Sequence, residues 1–177
     1  GPFFQEGASY DVNRDFAAVT LAVTSPNVLV IHPSLPVRSV KEFIAFAKAR
    51  PGELNYGSGS TGSNSHLAAE LLNSMAGLNI VRVPYKGAGP ALNDVVGGHV
   101  HMIIPSGASA IPHLKSGRLR ALGVTSLQPS AIFPGLPSIA SSVAGYESSA
   151  ITGMFVPAGT PASVISRLNQ EANRALN

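Results

Sequence analysis

The chain contains no cysteine, and only 12% of its residues are charged. Without thiols there are no disulfides and no thiolate metal sites, a composition that suits either cytoplasm or periplasm. The formal net charge is only +3, and lysines and arginines stand singly, with no basic stripe interleaved with aromatics. A nucleic-acid surface is therefore not indicated. No apolar run is long enough to span a bilayer, and no secretory leader is visible. There is no G-x-S-x-G, so a nucleophile elbow is not supported. The nine acidic residues are dispersed and suggest no acid–base pair. With 45% apolar residues in 177, the chain can nevertheless bury a substantial core.

Short apolar runs alternate with helix-period segments. Val19–Ala22 and Val28–Ile31 read as short buried strands separated by Ser25-Pro26-Asn27, after an irregular lead-in over residues 1–16. Ser39-Val-Lys-Glu42 fits a capping box, and Val40, Phe43, Ile44 and Ala47 share a helical face ended by Pro51-Gly52. Strands are predicted at 54–57, 80–84, 100–104, 119–125 and 152–156. Helices are predicted at 66–75, closed by Gly77, from Pro90, at 109–115, and after Thr160-Pro161. In the last helix Val164, Ile165, Leu168 and Ala172 form the apolar face. This alternation implies an α/β fold with a mostly parallel sheet flanked by helices. Loops that follow strands then gather at the carboxyl edge of the sheet, where ligands bind.

The most informative stretch is Ser58-Gly59-Ser60-Thr61-Gly62-Ser63-Asn64, a Gly/Ser/Thr loop between a strand and a helix. Glycines allow close backbone approach, hydroxyls supply donors, and the helix start supplies free N–H groups and partial positive charge. Such a loop holds an anion without a lysine or arginine. Residues 57–62 also match G-x-G-x-x-G, so an NAD(P)-binding domain of an oxidoreductase is a competing reading. That fingerprint wants an acid about 20 positions on, and the next strand, Val81-Arg-Val-Pro84, carries none. A P-loop fails because Ser63-Asn64 stands where Lys-Ser/Thr is required. A plain glycine-rich turn with no ligand is the third alternative.

Two further strand-end loops face the same edge. Tyr85 follows one strand and suits the apolar part of a ligand. Ser106 follows another and suits a ligand oxygen. His99 and His101 alternate along a strand, but no further ligand has metal-site spacing, so solvated histidines are the simpler reading. His66 reads as a capping or packing residue. No catalytic residue, metal ligand or cofactor is assigned: the pattern is that of a site that binds and does nothing more.

Asn55-Tyr-Gly-Ser-Gly-Ser-Thr-Gly-Ser-Asn-Ser-His66-Leu67, Val83-Pro-Tyr-Lys-Gly-Ala-Gly-Pro-Ala-Leu92, Gly97-Gly98, Pro112-His-Leu-Lys-Ser-Gly-Arg-Leu-Arg-Ala-Leu122 and Pro157-Ala-Gly-Thr-Pro161 occur in this order. Together they resemble the Bug (TctC-like) family, the periplasmic substrate-binding proteins of tripartite tricarboxylate transporters. The resemblance implies a type II periplasmic-binding-protein lobe. It divides the chain into lead-in and crossing strands of the other lobe at 1–31, a complete ligand-binding lobe at 32–126, and a return strand and helix of the other lobe at 127–177. It implies a small carboxylate ligand, a dicarboxylate above all, bound without turnover in the periplasm and delivered to membrane permease subunits. Ser58 to Asn64, with Tyr85 and Ser106, would be the ligand residues.

Two departures stand out. Pro105 replaces an aspartate common in that loop, which puts an amino-acid ligand in question, and Ile151-Thr152 replaces an aromatic often found before Gly153. A sensor module of a signalling system is a further alternative, since the same clamshell serves that role. The resemblance also implies that apolar surface on residues 10–31 and 150–177 is left without its usual partners, which favours dimerisation or swapping.

Overall fold

The computed structural model describes residues 10–176. In chain order the elements are α1 (Val12–Asp15), β1 (Phe16–Pro26), β2 (Val28–Ile31), α2 (Val40–Lys48), β3 (Asn55–Ser58), α3 (Asn64–Ala76), β4 (Val81–Pro84), α4 (Ala88–Val96), β5 (Met102–Ile103), α5 (Gly107–Lys115), β6 (Arg120–Val124), a 3₁₀ turn (Ile139–Ser141), β7 (Ser149–Pro157) and α6 (Ala162–Leu176). The chain divides into two compact units. The smaller takes in residues up to Ser25 and from Ile151 onward, and the larger runs from Pro26 to Ala150.

The larger unit is built on a five-stranded sheet of order β4-β3-β5-β2-β6. β3 pairs in parallel with β4 and β5, whereas β2 runs antiparallel to both of its neighbours, β5 and β6. Four strands thus point one way and β2 alone opposes them. All four residues of β2 are fully buried. Its period-2 alternation sends Leu29 and Ile31 into one core, with Phe43, Tyr56, Leu72 and Tyr146. Val28 and Val30 go into the other, with Leu92, Val95, Ile103 and Phe133. The first core is closed by α2 and α3, the second by α4 and α5, giving a helix–sheet–helix sandwich.

Local chemistry accounts for the element ends. Ser39 Oγ accepts from the Glu42 N–H at 3.1 Å, and Glu42 Oε2 accepts from the Arg38 N–H at 2.7 Å, a capping pair that starts α2. Gly77, at φ 62°, closes α3 in the left-handed conformation. At Gly123 a side chain is excluded for a different reason: a Cβ there would lie 2.9 Å from Val40 Cγ2 and 3.1 Å from the Pro137 carbonyl, so α2 rests directly on the β6 backbone.

The smaller unit holds α1, most of β1 and β7, and α6. β1 and β7 form a two-stranded sheet. Asp11 caps α1, accepting from the Asn13 and Arg14 N–H groups. α6 is tied to β1 by Asn169 Nδ2, which donates to the Val19 carbonyl at 2.7 Å. No residue of α6 is buried, and Val19 is the one buried hydrophobic residue of this unit among those described.

Four expectations change. The boundaries at 31/32 and 126/127 move to 25/26 and 150/151. Val28–Ile31 is an interior strand of the larger sheet, and residues 127–150 pack onto the sheet through Phe133, Ile139, Val143 and Tyr146. The break expected at Ser25-Pro26 is absent: β1 continues through Pro26, which a two-stranded sheet tolerates because each strand has a free edge. β1 is also exposed or half-buried at every position but Val19, rather than buried. The irregular lead-in expected over residues 1–16 lies outside the described residues up to residue 9, and Val12–Asp15 is helical.

Candidate functional site

Because β3, β4 and β5 are parallel and adjacent, the helices that follow them begin at one edge of the sheet. α3 starts after Ser63, α4 after Gly87 and α5 after Ser106, and none of the three has a side-chain cap. By contrast, Asp11, Ser39 and Ser138 cap α1, α2 and the 3₁₀ turn with their own oxygens. The three uncapped starts surround one pocket of about 240 Å³. Gly59, Ser60, Ser63, Asn64 and Ser65 form one wall, Gly87 and Ala88 a second, and Asn27, Pro105 and Ser106 a third.

Each helix start leaves first-turn N–H groups without intrahelical partners. Each also carries roughly half a positive charge, so the three together present about +1.5 with no cationic side chain in the wall. The pocket suits an anion, and its size suits a small one, below the ~300 Å³ at which drug-sized sites begin. Ser60, Asn64, Ala88 and Ser106 are exposed, so one side is open to solvent.

The Gly/Ser/Thr loop is held from behind. Arg82, in β4, donates through Nε to Ser58 Oγ at 2.8 Å, through one terminal nitrogen to Thr61 Oγ1 at 3.2 Å, and through the other to the Gly59 carbonyl at 3.2 Å. The planar guanidinium fork thus spans three loop residues. The Gly59 N–H donates to Ser65 Oγ at 3.1 Å, and the Gly62 N–H donates to His66 Nδ1 at 3.1 Å. Burial lowers the His66 pKa, and the nearby Arg82 charge lowers it further, which keeps that nitrogen an acceptor. Gly59 sits close to its neighbours: a Cβ would crowd Ser63 Oγ at 3.2 Å and meet the Ala88 nitrogen at 3.5 Å.

Of the nine sequence-predicted residues, Gly59, Ser60, Ser63, Asn64 and Ser106 line the pocket. Ser58 is fully buried, with its hydroxyl between Arg82 and the Gly59 carbonyl. Thr61 faces Arg82, and Gly62 supplies the turn at φ 79°. The Tyr85 N–H donates to the Ser58 carbonyl at 2.9 Å, and its hydroxyl donates to Asp94 Oδ2 at 2.6 Å. Burial, helped by the Asp94 hydrogen bond and charge, pushes the Tyr85 pKa up to about 12.

Asn27, Ser65, Gly87, Ala88 and Pro105 also line the pocket and were not predicted. Ser65 extends the predicted run by one position, but nothing local marked Asn27. His101 is engaged with Asn55, its Nδ1 lying 2.9 Å from Asn55 Oδ1. No group of three or more His, Cys, Asp or Glu residues able to hold a metal occurs among the described residues. No helix among them is long and apolar enough to cross a membrane.

A mixed α/β sandwich with an anion-accepting pocket at the strand ends is the architecture of a periplasmic-type solute-binding lobe. The chain belongs to the tripartite tricarboxylate transporter family receptors (TctC), whose family model matches residues 1–177. It is 40% identical over 176 residues to a UPF0065 protein from the tcbD-tcbE intergenic region of Pseudomonas sp. strain P51, covering 98% of this chain and 52% of that protein. Among solved structures it resembles R. palustris Rpa4515 with adipate, at 39% identity and TM-score 0.87, covering 92% of this chain and 55% of the other. It also resembles MatC (Rpa3494) from Rhodopseudomonas palustris with bound malate, at 28% identity and TM-score 0.86, covering 98% and 60%. The chain spans about half the length of the curated relatives it matches.

Proposed function

We propose that this chain binds a small carboxylate, a dicarboxylate above all, without chemical turnover, and serves delivery to the membrane subunits of a tripartite tricarboxylate transporter from the periplasm. The observation that carries the reading is the convergence of three uncapped helix N-termini on one small pocket. The adipate and malate held by the two structural neighbours support the ligand class. Gly59, Ser60, Ser63, Asn64 and Ser106 contact the ligand in this reading. Ser58, Thr61, Gly62 and Tyr85 shape and brace the loop instead.

Neutral donors suit a carrier. A hydrogen bond to a charged group contributes about 1.5–3 kcal/mol, enough to hold a carboxylate in concert with others. Release then strands no buried cation, as breaking a buried salt bridge would. With one side of the pocket open, this chain alone binds its ligand in the millimolar range, about −4 kcal/mol.

A thermal-shift titration tests the reading, with mono-, di- and tricarboxylates as ligands and NAD and NADP as controls. A ligand that binds the native state alone raises the melting temperature as its concentration increases. A rise with dicarboxylates and none with nucleotides is expected. A rise with nucleotides alone would replace the reading with an oxidoreductase domain.

A further inference from the structure

Asn27 lies in the third wall of the pocket with only 1% of its surface exposed. Its backbone is fully employed. Its N–H donates to Thr125 Oγ1 at 2.8 Å, and its carbonyl accepts from the Thr125 N–H at 3.0 Å and from Thr125 Oγ1 at 3.2 Å. A backbone bridge joins it to Ser106, and the next residue, Val28, donates its N–H to the Pro105 carbonyl. The side chain is the reverse. Neither Nδ2 nor Oδ1 has a hydrogen-bond partner, although both are closed off from solvent. No protein atom partners this amide at either end, and a folded chain keeps such a group where a ligand, a bound water or a function uses it.

We propose that Asn27 reads the ligand, and that its amide selects a carboxylate bearing a hydroxyl on the adjacent carbon over the same carboxylate without one. The inference rests on the carboxylate reading above and goes beyond it by naming the substituent.

A carboxylate accepts hydrogen bonds and donates none, so it satisfies Nδ2 and leaves Oδ1 stranded. A hydroxyl beside the carboxylate supplies the missing donor, so the two groups together meet both ends of the amide. The helix starts cannot make this distinction, because they offer only N–H donors. The serine hydroxyls of the wall do not make it either, since each rotates to donate or accept as required. Two wall side chains, Asn27 and Asn64, present an acceptor in a fixed relation to a donor; Asn64 is exposed to solvent, whereas the Asn27 amide is buried and has no partner. Asn27 lines the pocket while its amide atoms are closed off from solvent, so contact with a ligand requires the side chain to turn. No hydrogen bond resists that rotation.

The test is an NMR titration of the ¹⁵N-labelled 177-residue chain with malate and with succinate, which differ only by the hydroxyl. Resonances are assigned by triple-resonance methods, so millimolar dissociation constants are readable. Backbone amides of Gly59 to Ser65 report the pocket, and the Asn27 side-chain NH₂ pair reports the amide.

Malate is expected to bind about tenfold more tightly than succinate, as one additional net hydrogen bond implies, and to move the Asn27 NH₂ pair. In Asn27→Ala the ratio should collapse toward one. An equal ratio in both proteins, as expected if the amide holds only water, overturns the inference. So does an Asn27 NH₂ pair that stays unmoved at malate saturation, and that measurement needs no variant to fold. In both of those outcomes the loop amides still move, and the carboxylate reading stands. If neither ligand moves Gly59 to Ser65, the carboxylate reading falls and takes this inference with it.

Discussion

Replacing Arg82 with methionine keeps the length of the side chain and removes the guanidinium that holds the ligand loop. Three bonds are lost, and they are not equal. The bond to Ser58 Oγ is short, at 2.8 Å, and its acceptor is fully buried. A charge-assisted bond of that kind contributes about 1.5–3 kcal/mol, and its loss leaves a buried hydroxyl oxygen without the donor it accepts from, although it still donates to the Gly59 carbonyl. The bond to the Gly59 carbonyl is longer, and that carbonyl still accepts from Ser58 Oγ. The bond to Thr61 lies at the surface, where such contacts are worth a few tenths of a kcal/mol at most. The sum is roughly 2–3 kcal/mol of unfolding free energy, or a melting temperature lower by about 5–10 °C for a chain of this size. Urea denaturation followed by circular dichroism measures it. Arg82→Lys separates two causes: it keeps the charge but reaches at most one of the three acceptors. If the fork is what matters, lysine is expected to lose more than half as much stability as methionine. An Arg82→Met chain within about 0.5 kcal/mol of the parent, the scatter of ordinary surface substitutions, would refute the bracing argument.

Two other expectations follow from packing and titration. Gly123→Ala places a Cβ 2.9 Å from Val40 Cγ2 and 3.1 Å from a backbone carbonyl that cannot swing away. It should cost about 1–3 kcal/mol in a thermal melt, and an unchanged melt would show that α2 does not rest on β6 as described. Burial lowers the pKa of His101, with His32 contributing, and burial with Arg82 lowers that of His66. A lowered folded-state pKa means the unfolded chain binds the proton first. The stability these groups contribute is therefore complete above their ordinary value of 6.5 and is lost as pH falls below it. Urea midpoints should drop on acidification below that value, and His101→Gln should flatten the slope. An identical slope in parent and variant would refute the assignment.

Features set by neighbouring residues were legible in the sequence. The Ser39 cap, the Gly77 stop and the strand–loop–helix each depend on contacts within a few positions; the cap and the stop are found as read, and the strand and helix expected at 54–57 and 66–75 lie at 55–58 and 64–76. The direction of β2 was not legible, because a buried Val-Leu-Val-Ile run looks the same whichever way its neighbours point. Arg82 was visible only as a strand residue. Its fork reaches residues 21 to 24 positions earlier, and no local pattern encodes that reach. Asn27 read only as part of the segment Ser25-Pro26-Asn27 that separates two strands. Thr125, 98 positions away, pins it in an extended bridge instead. The loop at Ser58 to Asn64 was found by composition, but composition could not say which hydroxyls face the pocket and which face Arg82.

The antiparallel interior strand of the sheet also has a consequence for biosynthesis. β2 leaves the ribosome before both of its hydrogen-bonding neighbours, residues 102–103 and 120–124. Four consecutive apolar residues with both edges unpaired must wait for some 70 to 90 further residues to be translated, several seconds at ordinary elongation rates. Through that interval Val28–Ile31 is an aggregation-prone segment and a natural recognition site for a holding chaperone. Closure of the sheet by β6 is then the step that commits the nascent chain to its fold.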